Sequence, residues 1–284
     1  MRTPCLVLLA ALVPSTAMAE RPGDRLAGTG GVTQIEGAAG GGLTPWALIA
    51  GYGTRDQIGA TAFYTRADPS DFTLQAGGVA VGIYDRLEIS YARQQLGLGT
   101  TVPGQSIAMD IVGVKARVSG DAVFDQDRWV PQVAVGLQFK HNLDMTVPTA
   151  LGARDGSGVD WYVAATKVWL DGFFGRSVLL NGTLRATRAN QLGLLGFGGD
   201  RNDDYRVMPE VSAGVFVHDR VVVGAEYRVK PDNLGAFPED DFKDVFVAWF
   251  PHKRISITGA YVELGQIADK GDQKAFYVSV QLNF

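Results

Sequence analysis

The sequence predicts an all-β fold, a transmembrane antiparallel up-and-down β-barrel of about 12–14 strands, and three observations carry that reading. The chain ends on "KAFYVSVQLNF", where Phe276, Val278, Val280, Leu282 and Phe284 alternate strictly with Tyr277, Ser279, Gln281 and Asn283. Such period-two alternation marks a strand with one apolar and one mostly polar face. Along the chain, short charged turns alternate with mostly longer loops rich in Gly, Asp, Asn and Pro. Large aromatic residues stand at the ends of the apolar faces, with aliphatic residues between them.

The N-terminus, "MRTPCLVLLAALVPSTAMAE", has a positive Arg2, an apolar run from Cys5 to Val13 and a small-x-small site at Ala17, Met18 and Ala19. It reads as a cleaved export signal over residues 1–19. Residues 20–30 are expected to form a periplasmic N-terminal segment, and residues 31–284 the barrel. The turns are "GTRDQ" (53–57), "YDR" (84–86), "DGFFGR" (171–176), "HDR" (218–220) and "PHKR" (251–254), with a longer "SGDAVFDQDR" at 119–128. The intervening loops include "GLGTTVPGQ", "NQLGLLGFGGDRNDD" and "PDNLGAFPEDD". One end with tight turns and the other with loops is the asymmetry of an outer-membrane meander. Strands number fourteen if the Gly-rich first hairpin belongs to the wall and twelve if it does not. Either even count places both termini on the turn side.

The positions of the aromatics separate a membrane barrel from a soluble sandwich. Tyr64, Phe139, Tyr162, Tyr205, Tyr227, Tyr261 and Phe276 fall at loop ends of apolar faces, and Trp129, Trp249 and Phe284 at turn ends. Two belts of amphipathic rings around an aliphatic band match the two interfaces of a bilayer. A sandwich would place such rings in mid-strand. Phe284, ending the last strand, reads as the C-terminal assembly signal of an outer-membrane protein. In "FTLQAGGVAVGIY" the apolar phase shifts at Gly77 and Gly78, which reads as a β-bulge.

Composition narrows the functional classes. The only cysteine, Cys5, lies in the export signal, so thiolate metal sites and a cysteine nucleophile are excluded from the mature chain. Of 26 basic residues Arg2 is removed, leaving 25 against 30 acidic and a net charge of −5, with no basic excess for nucleic acid. No second apolar run reaches the ~18 residues of a spanning helix, so a closed barrel is the remaining way to cross a bilayer.

Alternation assigns Lys115, Arg117, Lys140, Lys167, Arg185, Arg206, Arg228 and Lys230 to the lumen, against Glu88, Glu210, Glu226 and Asp244. A positive lumen sets an anion preference if it is open, whereas paired charges fill it if it is closed. The acidic loops "DRNDD" and "PEDD" match no cation-binding motif and read as solvated charge. Among the histidines, His141 stands at an outer strand end beside Asn142, Asp144, Asp155 and Ser157, as a lipid-acting Ser/His/acid site would require. No serine has a hydrolase-like context, and a rim histidine in water is the simpler reading. "EGAAGGGLTPWALIAGYG" (36–53) lacks the Lys-Ser/Thr of a phosphate loop and reads as a hairpin packed closely at the barrel seam.

This stretch also carries a resemblance. "GGVTQIEGAAGGGLTPWALIAGYGTRDQIGATAFYTR", followed by "GVAVGIYDRLEISYARQ", resembles the uncharacterised proteobacterial family catalogued as domain of unknown function 3034. The resemblance spans nearly the whole mature chain. It implies a Gram-negative outer-membrane protein and brings no activity, cofactor or site residue.

The expectation is therefore a non-enzymatic outer-membrane barrel, without cofactor or metal, acting as a passive channel for small polar or anionic solutes. Lys115, Arg117, Lys167, Arg185, Glu210, Glu226, Arg228 and Lys230 are its selectivity residues. The alternatives are a closed structural barrel touching lipopolysaccharide through Arg66 and Arg93, and a lipid-modifying enzyme using His141. Expected partners are outer-membrane lipid, lipopolysaccharide and the assembly machinery, with the barrel a monomer.

Overall fold

The computed structural model describes residues 23 and 25–284, and the export signal at 1–19 lies outside them. Twelve antiparallel strands close into one barrel. The wall begins with β3 (Ile58–Ala67), β4 (Thr73–Ile83), β5 (Leu87–Gly97) and β6 (Ser106–Ser119). It continues through β7 (Gln132–Asn142), β8 (Ser157–Phe173), β9 (Arg176–Thr187) and β10 (Arg206–His218). It ends with β11 (Val221–Arg228), β12 (Phe242–His252), β13 (Ile255–Ile267) and β14 (Lys270–Asn283). β14 pairs with β3, from Tyr277 opposite Ala67 to Asn283 opposite Thr61, and Phe284 exchanges backbone hydrogen bonds with Ala60. The terminal strand thus closes the ring, which leaves no unpaired backbone edge facing hydrocarbon.

The exterior carries the expected band. Val79, Val135, Val163, Leu184, Val211 and Val245 are exposed in mid-wall. Tyr64, Phe139, Tyr205, Tyr227 and Phe276 are exposed toward the loop end, with the Tyr261 ring tilted against that of Phe276 at 5.1 Å. Trp129, Trp249 and Phe284 are exposed toward the turn end, and Trp129 lies 5.9 Å from Trp169. Tyr162 is an exception. In β8 the inward residues are Gly158, Asp160, Tyr162, Ala164 and Thr166, and Tyr162 is buried, so the belt residue is its neighbour Trp161, 56% exposed. The same phase turns Lys167 outward, opposite the exposed Leu180, where its ammonium donates to the Asp125 carbonyl in the β6–β7 connection.

The strand around Gly77 and Gly78 holds no bulge. β4 runs in unbroken register with β3 and β5, Gly78 opposite Phe63 and Ala92. The apparent shift arises because its inward face is Ala76, Gly78, Ala80 and Gly82, too small to look like a face. Small residues are needed there because backbone lies against them.

That backbone is the N-terminal segment. The Gly-rich hairpin is neither in the wall nor at the seam; residues 29–53, all of them buried, occupy the lumen. The segment enters at the turn end, reverses through β1 (Val32–Thr33) and β2 (Ala39–Gly40), and returns to join β3 at Ile58. The reversal places Gly37 at φ 96°, a left-handed conformation suited to glycine, where a Cβ would also lie 3.1 Å from that of Ala92. A Cβ on Gly82 would stand 2.1 Å from the Ala50 carbonyl oxygen. Gly82→Val is therefore expected to lose ~1–3 kcal/mol or more through overpacking, read as a lower urea midpoint. Gly182→Ala, whose Cβ meets nothing within 4 Å, leaves the midpoint unchanged.

Candidate functional site: the plugged lumen

The segment inside the barrel has little secondary structure of its own, so its buried N–H and C=O groups need partners. The wall's inward side chains provide them. Glu88 and Lys115, cross-strand neighbours on β5 and β6, form a buried pair at 3.1 Å. The Lys115 ammonium donates to the carbonyls of Ala39 (2.8 Å), Trp46 (3.2 Å) and Leu48 (2.7 Å), while the Glu88 carboxylate accepts from the N–H groups of Ala39 and Ala50. Gln132 donates to the Ala47 carbonyl at 2.6 Å and Thr166 accepts from its N–H at 2.8 Å. Thr183 donates to the Pro45 carbonyl, and Glu226 accepts from Leu43 N–H (2.7 Å), the Thr44 hydroxyl (2.7 Å) and the Ser212 hydroxyl (2.8 Å). Asp244 is buried beside Glu226 as its cross-strand partner.

The turn of the segment delivers one charge to the centre. Glu36 is completely buried, and three cations from three wall strands converge on it. Lys140 of β7 makes a short ion pair with it, the Arg228 guanidinium of β11 lies at 2.7 Å, and that of Arg185 of β9 at 3.6 Å. The same cations hold two wall carboxylates: Lys140 reaches Asp160 at 2.6 Å, Arg185 reaches Asp160 at 3.3 Å and pairs with Glu210, and Arg228 lies 3.4 Å from Glu210. Three carboxylates and three cations balance formally. The Tyr162 ring packs against the Arg185 guanidinium at 5.3 Å, which explains why this tyrosine faces inward.

Each end of the lumen is also covered. At the turn end, Arg25 donates to the Ile49 carbonyl and pairs with Asp85 at 3.1 Å, while Asp85 and Asp121 hold Arg117. At the loop end, the β9–β10 loop folds inward with Leu192, Leu194, Leu195 and Phe197 buried. Lys140 donates to the Leu192 carbonyl at 3.0 Å, and Asn142 to that of Leu194 at 2.6 Å. Lys230 sits beneath this cover, 3.0 Å from Glu239 and 3.5 Å from the centre of the Phe242 ring. Burial pushes the Glu239 carboxyl up against the lowering influence of Lys230.

Of the residues assigned to the lumen, Lys115, Arg117, Arg185, Glu210, Glu226, Arg228 and Lys230 are buried there, as are Lys140, Glu88 and Asp244. Lys167 lies on the outward phase of β8, buried beneath the β6–β7 connection, and Arg206 is exposed at the start of β10. Glu36 and Asp160 complete the central cluster, and sequence reading missed both. Asp160 follows from the correct phase of β8; Glu36 has no local signature, because its cations are 104 to 192 residues away.

On the outer surface, His141 and Ser157 do meet, Nδ1 to Oγ, at 2.7 Å. The acids placed with them go elsewhere: Asp155 pairs with Arg188 at 2.7 Å and Asp144 accepts from Thr146 N–H. That N–H holds the Asp144 carboxyl below its ordinary range. Asp110, the cross-strand neighbour of His141, is occupied by Arg93 and the Tyr91 hydroxyl. Of the acidic loop residues, Asp203 pairs with Arg188 and Asp200 accepts from Gly235 N–H.

Comparison with known proteins adds a family and a fold. No curated protein matches the sequence. Among solved structures, the NanC porin in a rhombohedral crystal form is similar at 9% identity and a TM-score of 0.50, over 78% of this chain and 98% of that one. The KdgM porin in complex with disordered oligogalacturonate is similar at 10% identity and a TM-score of 0.48, over 79% and 99%. The Salmonella typhi outer membrane phospholipase (OMPLA) dimer with bound calcium is similar at 8% identity and a TM-score of 0.40, over 78% and 90%. At such identities the likeness concerns the barrel fold. A family model, by contrast, matches residues 29–281, nearly the whole mature sequence, and the chain belongs to the family described as "Protein of unknown function (DUF3034)".

Proposed function

We propose that this protein is a barrel of the Gram-negative outer membrane that its own N-terminal segment keeps closed, rather than a standing pore. The observation that carries this reading is Glu36, brought to mid-lumen by the segment and bound there by Lys140, Arg185 and Arg228. Charges that would select ions in an open lumen are instead paired with one another and with the segment's backbone. Passage of small polar solutes then requires the segment to leave. Single-channel recording of the refolded mature barrel tests the proposal: a silent membrane supports it, and steady openings contradict it.

The barrel is read as a monomer in contact with outer-leaflet lipid and lipopolysaccharide, inserted by the assembly machinery through its Phe284 end. Arg66 and Arg93 lie at the outer rim, but each already holds a carboxylate, Asp68 and Asp110. Contact with lipid phosphate there competes with those pairs. No bond-breaking chemistry is assigned to His141 and Ser157, since among the described residues no carboxylate is hydrogen-bonded to the imidazole. His141→Ala is expected to match the wild type in a lipid-hydrolysis assay, both at background. Hydrolysis by the wild type that this substitution abolishes would install the enzymatic reading instead.

A further inference from the structure

The lumen has two unlike halves. Facing β7 to β11 the segment meets charge, whereas facing β3 to β5 and β12 to β14 at the loop end it meets hydrocarbon. There the inward residues are Leu74, Leu96, Phe242, Val262, Leu264 and Ile267, all but Leu74 fully buried. The segment contributes Val32, Ile35 and Leu43, and the inward-folded loop covers the group with Leu192 and Leu194. These surfaces do not close on each other. They leave a crevice of about 50 Å³.

The shape of the crevice follows from its lining. Residues along β13 from Thr258 to Leu264 border it, a run of roughly 20 Å at ~3.4 Å per residue. A volume this small spread over that length is a slot about one methylene chain wide, too narrow for a ring. Its walls offer few polar groups: Thr65 is engaged with Ser279 and Thr33 with Gln281, and the buried Tyr277 hydroxyl is a single group without a hydrogen-bond partner. Water needs two or more polar partners to stay in a cavity, so such a slot favours an apolar occupant. An apolar slot is also unexpected in the lumen of an outer-membrane barrel, which is ordinarily polar.

We infer that this crevice is a binding site for a single unbranched alkyl chain, lodged between the N-terminal segment and the wall beneath the β9–β10 loop. The occupant is recognised by cross-section and lack of charge. Free fatty acids, alcohols and the acyl chain of a lipid share that chemistry. The inference is independent of whether the barrel conducts, because the crevice exists with the segment in place.

The test uses the full mature protein refolded in a fluorinated surfactant, which brings no hydrocarbon chain, and dodecanoic acid carrying a ¹³C label on its terminal methyl. The expected result is a bound methyl resonance distinct from the micellar one and saturating at one equivalent. Filling the slot with Leu264→Trp should lower occupancy at least tenfold. Leu194→Trp, in the loop and outside the wall, should do the same without burdening barrel folding, while Val247→Trp on the exterior should leave the signal intact. Displacement by dodecanol alone assigns the site to free amphiphiles; displacement also by a dodecanoyl lysophospholipid assigns it to lipid chains. Absence of a bound resonance, or one that both slot-filling variants retain, would overturn the inference.

Discussion

Glu36→Ala is expected to release the N-terminal segment and to lower stability by ~3–5 kcal/mol, the cost of removing one partner from a buried ion-pair network. The carboxylate is completely buried and is shared by Lys140, Arg185 and Arg228. Without it those three cations face only Asp160 and Glu210, leaving an uncompensated positive charge in a site sealed by protein. Glu36→Gln keeps the shape and part of the hydrogen bonding, so its loss should be smaller. Urea unfolding of the refolded barrel, followed by tryptophan fluorescence, measures both. Limited proteolysis from the turn side separates release of the segment from collapse of the wall. Cleavage confined to residues 25–57 in the alanine variant, with the wall resistant, is the expected pattern.

Lys115→Met should be comparably damaging for a different reason. The ammonium neutralises Glu88 and donates to the carbonyls of Ala39, Trp46 and Leu48, of which that of Ala39 also accepts from Trp46 N–H. Methionine fills similar volume but leaves the buried Glu88 carboxylate without its cation and the Trp46 and Leu48 carbonyls without a donor. Each buried orphan costs ~1–3 kcal/mol, and the charge more. The loss should therefore reach at least the ~3 kcal/mol of a broken buried pair. Adding Glu88→Gln to Lys115→Met should recover part of it, because the unpaired charge is then gone. Urea midpoints of the single and double variants form the test, and a double variant less stable than the single one would count against this division of roles.

The wall was legible in the sequence because the bilayer imposes two simple rules, period-two alternation and aromatic rings at both interfaces. Those rules place Tyr64, Phe139, Tyr227 and Trp249 without any knowledge of register. They fail at β8, where Trp161 and Tyr162 are adjacent and either could serve a belt. Only the buried polar side chains of Asp160 and Thr166 fix the phase, and with it the outward Lys167. They fail again at Gly77 and Gly78, since a face of alanine and glycine has no hydrophobic signal. The contents of the lumen were illegible for a deeper reason. Inward polarity shows that Lys115 and Glu226 avoid lipid, but water and a buried peptide backbone satisfy them equally well. What distinguishes the two is a set of contacts spanning most of the chain, such as Arg228 with Glu36. One local hint existed: Leu192, Leu194, Leu195 and Phe197 form an apolar run in a loop on the aqueous side, and such a run is stable only when buried.

Removing the segment takes away Glu36 and Arg25 together, so the charge balance that remains is set by the wall and its ends. The charges of the lumen wall and its ends are then Lys115, Arg117, Lys140, Arg185, Arg228 and Lys230 against Glu88, Asp160, Glu210, Glu226 and Asp244, with Asp85, Asp121 and Glu239 still holding the end cations Arg117 and Lys230, six basic to eight acidic. A lumen without a basic excess carries no anion preference.

The most direct measurement is single-channel recording in planar bilayers of the mature barrel beside a variant lacking residues 25–52, each shown to be folded by its gel mobility before and after heating. The account expects silence from the complete protein and steady openings from the shortened one, with a reversal potential under a salt gradient that shows no anion preference. Steady conductance from the complete protein, equal to that of the shortened barrel, would contradict it and would mean that the N-terminal segment does not close the lumen.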